Sequence, residues 1–171
     1  MGVGWPLREG ETIMIRRCTS NDIPTIDSII NEAAEKYRGV IPVDCWHEPY
    51  MSRAELEREI GAGVAFSGWD EGGELVGVMG VQRVKDATLI RHAYVRTAQQ
   101  GQGIGGKLLK AFNSEVAGKL LIGTWADALW AIRFYQGHGF RLAPTDEKNR
   151  LLDTYWTISP RQRETSVVLI R

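Results

Sequence analysis

An α/β (α+β) domain built on a mixed, mostly antiparallel sheet is the fold class this sequence predicts, and three observations predict it. β-rich and helix-periodic runs alternate along the chain with short turns between them. Three consecutive β-rich runs, residues 64–69, 74–84 and 88–95, are joined by an Asp-Glu-Gly-Gly turn and by Lys85-Asp86, which is the signature of an antiparallel meander. The composition is globular, with 43% apolar and 25% charged residues in a chain of 171, a length that supports one domain with its own core.

Taken in order, residues 1–10 read as a flexible amino-terminal extension and residues 11–171 as the single domain. Residues 11–18 alternate like an edge strand. Asp22 caps the helix that follows, Pro24 is tolerated in its first turn, and Ile26, Ile29, Ile30, Ala33 and Tyr37 share one face. Pro42 and Pro49 break that helix over residues 38–51. Ser52 and Glu55 have capping-box spacing and open a second helix that Gly61 and Gly63 end. The meander comes next. Beyond it lie a glycine-rich turn, a helix with Ile104, Leu108, Ala111 and Phe112 inward, a strand over 120–124, a helix through Tyr135, and a last strand over 164–170. About four helices flank the sheet on this reading.

Charge and composition remove several function classes. The chain has 21 Lys+Arg against 21 Asp+Glu, so the basic stripe that phosphate-backbone binding demands is missing and nucleic acid is not an expected partner. The longest uncharged stretches run ten residues, too short for a membrane span. The amino terminus lacks the apolar core of a secretory signal, which points to a cytoplasmic protein. Cys18 and Cys45 stand alone without metal spacing and read as reduced thiols, so no metal is expected.

The chemistry begins after Ala93-Tyr94-Val95. Gln100, Gly101, Gln102, Gly103, Ile104, Gly105 and Gly106 form a glycine-rich turn that runs straight into a helix. Glycines let the backbone approach a ligand closely, and the first-turn N–H groups with the positive dipole end attract a pyrophosphate. It is not a P-loop, because no GK[ST] closes it, and the acidic ribose-binding residue of a dinucleotide fold is missing about 20 residues on.

Gln100 to Gly105 fits the pattern [QR]xxGx[GA], and Ala131 to Phe140 fits AxxFYxxxGF, in that order. With these two elements the sequence resembles the GNAT superfamily of acyl-CoA-dependent N-acetyltransferases, and the resemblance covers roughly residues 11 to 171. It implies a central sheet with a splayed strand pair, acetyl-CoA as co-substrate, and transfer to a primary amine of a small molecule by direct attack in a ternary complex. It also implies roles for particular residues. Backbone groups of Ala93, Tyr94 and Val95 hold the pantetheine arm, amides of 100–106 take the pyrophosphate, and Tyr135 sits beside the thioester sulfur and protonates the thiolate. The family's frequent cofactor-contacting Asn is Ala128 here, with Asp127 as the expected helix cap. His92 is the one strand base with a suitable pKa, its direction left open by alternation. Tyr37, Trp46, Glu48 and Tyr50 are candidates for the acceptor wall, since aromatic and acidic groups suit a cationic amine, while Tyr155 and Trp156 could line the other side. A noncatalytic acyl-CoA-binding sensor is the alternative reading, and a homodimer is compatible with either.

Overall fold

The alternating runs of the middle third form the scaffold on which everything else is placed. In a computed structural model, residues 13–114 and 116–171 are described; the expected extension over 1–10 lies outside them. Strands β2 (Ala65–Glu71), β3 (Glu74–Val84) and β4 (Ala87–Val95) form the predicted antiparallel meander. β1 (Ile13–Arg17) adds to its outer edge. β5 (Lys119–Trp125), β6 (Arg141–Leu142) and β7 (Ser166–Ile170) complete a seven-stranded sheet in the order β1-β2-β3-β4-β5-β7-β6. Among the described residues every pairing is antiparallel except that of β4 with β5.

Helices α1 (Ile23–Ala34), α2 (Arg53–Gly61), α3 (Ile104–Asn113) and α4 (Leu129–Gly137) follow the sequence reading. The Ser52 hydroxyl accepts from the Glu55 N–H at 3.2 Å, as a capping residue should. Two further helices, α5 (Thr145–Tyr155) and α6 (Pro160–Thr165), were not expected. α5 buries only Lys148, Leu152 and Tyr155, and a lysine in the inward stripe masks its periodicity. Asp127 does not cap α4. The chain turns at Ala128 instead, where the Ala128 N–H bonds the Trp125 carbonyl and the Leu129 N–H bonds the Asp127 carbonyl.

Consecutive residues of the central strands feed opposite layers. Ile90, Ile122 and Leu169 pack with Ile104 and Leu108 of α3 and Ile132 and Tyr135 of α4. Leu89, Leu121 and Val168 pack with Leu152 and Tyr155 of α5, while Val78 and Phe66 meet Ile26, Ile30 and Leu56 of α1 and α2. The sheet is thus covered on both faces.

One irregularity fixes the site. Ile90 of β4 pairs with Val81 and His92 with Gly80, so Arg91 is an extra residue bulged out of the ladder. Pairing with β5 stops at the same place, since the register runs from Ala87↔Lys119 to Ile90↔Ile122 while β4 continues to Val95 and β5 to Trp125. The two strands splay there, and a bulge commonly re-aims side chains at such a place.

Candidate active site

The splay leaves one edge of β4 without a strand partner. Arg96 N–H bonds the Val76 carbonyl of β3, so alternation turns the N–H and C=O groups of Ala93 and Val95 away from β3 and into the gap. Gln100 Nε2 already uses the Val95 carbonyl, at 3.0 Å, and ties the glycine-rich turn to the strand end.

That turn is built as its sequence suggests. Gly101 and Gly103 both sit at φ 79°, a left-handed conformation that side chains disfavour, and Gly103 is the N-cap of α3 with no side chain capping it. The first helical N–H groups are left without an acceptor among the described residues, and the first turn carries no acidic residue. Gly106 meets a different need, because a Cβ there would lie 2.8 Å from His138 Nε2; α3 and α4 cross closely at this point.

These parts border a groove of about 1030 Å³ between β4 and the α3–α4 pair. Its walls include Ala93, Tyr94 and Val95, the amides around Gly103–Gly106, and Trp130, Phe134 and Tyr135. Lys36, Lys107, Lys110 and Arg171 line it, with no Asp or Glu among the described lining residues. The buried oxygens Gln99 Oε1 and Asn113 Oδ1, both in residues of this lining, lack hydrogen-bond partners. A polyanionic, hydrogen-bonding, partly apolar ligand fits this wall. Gln102 of the predicted element is exposed and does not line the groove.

A second cavity, about 360 Å³, opens on the α1–α2 side of the splay. Tyr37, Tyr94, Ala93 and Tyr135 line both cavities, so these four residues stand where the two spaces meet. Tyr135 is 5% exposed and held edge-on by Phe134 and Phe140, with centroids 5.0 and 5.5 Å away. Burial drives the Tyr135 phenol far above its ordinary pKa, and it does the same to Tyr94. Tyr37 is pushed up to about 12, chiefly by burial. These phenols keep their protons at neutral pH.

His92 lies in the second cavity and is buried, not turned to solvent. Its Nε2 is bonded to Glu59 Oε2 of α2, and its ring stacks with Phe66 and with Tyr94 at interplanar angles of 12° and 23°. Burial works to raise the Glu59 pKa, but the His92 hydrogen bond and the charges of His92 and Arg91 outweigh it and leave Glu59 below its ordinary value. Sequence reasoning missed Glu59 because it is 33 positions from its partner.

The four candidates for the acceptor wall divide. Tyr37 and Tyr50 line the second cavity, and the Tyr94 hydroxyl donates to that of Tyr50 at 3.2 Å. Trp46 and Glu48 line neither cavity. They form a surface cluster, with Glu48 exposed and its carboxylate bound to Arg38 and to Trp46 Nε1. Trp156 does reach the second cavity and packs close against β5, where a Cβ on Gly123 would come 3.3 Å from its ring. Tyr155 points elsewhere and donates to Asp86. Asp44 and Glu55 are the other carboxylates of this wall; Asp44 pairs with Arg161 at 3.0 Å, whereas Glu55, one turn before Glu59, makes no ion pair among the described residues.

Among the described residues no three His, Cys, Asp or Glu side chains converge as metal ligands, and no helix is long and apolar enough to cross a membrane.

Comparison with known proteins follows the same outline. The family model described as acetyltransferase (GNAT) domain matches residues 63–142. No curated protein matches the sequence. Among solved structures, the chain is similar to the PaiA N-acetyltransferase of Thermoplasma acidophilum in complex with coenzyme A, at 17% identity and TM-score 0.69, covering 94% of this chain and 98% of that one. It is similar to the ribosomal-protein-S18-alanine N-acetyltransferase of Escherichia coli, at 19% identity and TM-score 0.66, covering 93% and 92%. A GNAT family acetyltransferase from Elizabethkingia anophelis with acetyl-CoA bound is 24% identical with TM-score 0.63, covering 92% and 96%.

Proposed function

We propose that the chain is an acetyltransferase of the GNAT superfamily that moves an acetyl group from acetyl-CoA directly onto a primary amine of a small molecule, with both substrates bound at once. The observation that carries this reading is the sharing of Tyr135 by the two cavities. One space suits the thioester, the other suits the amine, and the Tyr135 phenol borders both beside Tyr37 and Tyr94.

Each substrate has residues suited to it. The amides of Gly103–Gly106 and the lysines of the groove hold the phosphates of acetyl-CoA, and the backbone groups of Ala93 and Val95 hold its pantetheine amides. The second cavity has a small-molecule volume and aromatic walls, and Glu55 offers charge to a cationic acceptor. The amine nitrogen attacks the acyl carbon, an N–H of the splayed strand stabilises the developing oxyanion, and the carbon–sulfur bond breaks. Tyr135 supplies the proton that the sulfur takes. Burial keeps the phenol protonated, so its proton is in place for the sulfur as the carbon–sulfur bond breaks. His92 takes the proton that an ammonium must lose before attack.

Initial rates with both substrates varied test the order of events. Intersecting reciprocal plots are expected for a ternary complex. Parallel plots would replace it with a covalent acetyl-enzyme.

A further inference from the structure

His92 is held in place from three sides. The bulge at Arg91 sets its direction, since residues two apart share a face in a regular strand and His92 would otherwise join Ile90 on the α3–α4 side. The rings of Phe66 and Tyr94 lie nearly parallel to its own, with centroids 6.0 and 6.3 Å away. Glu59 fixes one nitrogen, Nε2, and Arg91 Nη2 lies 3.5 Å from the other Glu59 oxygen. Nδ1 has no hydrogen-bond partner among the described residues.

We propose that Glu59 is a positioning residue for the transfer: it accepts the Nε2 proton of His92, so that Nδ1 keeps the lone pair that receives a proton from the acceptor ammonium. This rests on the acetyl-transfer reading and deepens it. A carboxylate behind an imidazole sets the tautomer and stabilises the imidazolium that forms. The protons balance. The ammonium gives one to Nδ1, the nitrogen bonds to the acyl carbon, the carbon–sulfur bond breaks, and the Tyr135 proton goes to sulfur. The second nitrogen proton restores the phenol, and His92 passes its own to solvent, releasing one proton per turnover.

The pair does not titrate in isolation. Glu55 shares its helix face, and Arg91 and Tyr94 flank it on β4. Asp44, His47 and Tyr50 face it from the loop before α2, Tyr37 from the turn after α1 and Tyr135 from α4. β2 contributes only Phe66, and β3 the backbone of Gly80. Among the described residues Glu59 is the one carboxylate bonded to the ring.

The test compares wild type with Glu59→Gln and Glu59→Asp, using nitrogen NMR of the His92 imidazole and kcat/KM for the amine against pH at saturating acetyl-CoA. The wild-type ring is expected with its proton on Nε2. Glu59→Gln should lower kcat/KM at least tenfold and move the acid limb to lower pH, with the acetyl-CoA KM unchanged, and Asp should restore part of the loss. A wild-type proton on Nδ1, or a Gln variant with the wild-type profile, overturns the positioning role while leaving acetyl transfer in place. A wild type that turns over no amine at all overturns the transfer reading, and this role with it.

Discussion

Trp46 Nε1 donates to Glu48 Oε2 at 3.2 Å, and the Arg38 guanidinium lies 4.8 Å from the Trp46 ring centroid while also binding that carboxylate. The charge that residue type offered to a cationic amine is already neutralised on the surface. Glu48→Gln and Trp46→Ala are therefore expected to leave the amine KM within about twofold of wild type, whereas Glu55→Gln raises it about tenfold with the acetyl-CoA KM unchanged. Steady-state kinetics with each substrate varied in turn separates the two. A tenfold rise for Glu48→Gln would return the loop to the acceptor wall.

Tyr135→Phe removes one hydroxyl and keeps the ring that Phe134 and Phe140 enclose. A fall in kcat of roughly 100-fold is expected, with little change in acetyl-CoA affinity. Equal turnover would make Tyr135 a core aromatic only.

Gly103→Asp puts a carboxylate and a Cβ at the uncapped start of α3, at φ 79°. Acetyl-CoA binding, read by calorimetry, should be lost, because the new charge repels phosphate and the backbone resists the turn. Undiminished binding by a folded variant would remove the cradle from the account.

Far from the site, Arg16 Nη1 and Nη2 clamp Asp22 at 2.9 Å each. The Arg16 hydrogen bonds hold the Asp22 carboxyl down at about 2, against the opposing effect of burial. A carboxyl lowered in the folded state stabilises fully above its ordinary pKa and loses that contribution as pH falls toward its folded value. Thermal melts of wild type should therefore lose stability from about pH 4 down to about pH 2, and Asp22→Asn should lose less over that window. Parallel curves would show that the clamp contributes nothing.

What the sequence disclosed follows the range of the interactions involved. The glycines at 101 and 103 announce the cradle because a left-handed turn before a helix is a property of neighbouring residues. The meander was equally readable, since alternation and turn residues are local. The direction of His92 was not, because one bulged residue at Arg91 inverts the alternation beyond it. Glu59 and Glu55 reach the second cavity only once α2 has packed on the sheet. The same holds for Trp156, which depends on the bare backbone of Gly123. The α6 helix has six residues and a starting proline, too short to show a period.

The most direct measurement of the central claim is thiol release from acetyl-CoA across a panel of small amines, with the acetylated product identified by mass. Amine-dependent release, matched mole for mole by N-acetyl product, is the expected result. Acetyl-CoA binding without release in the presence of any amine would contradict it and make the protein an acyl-CoA sensor.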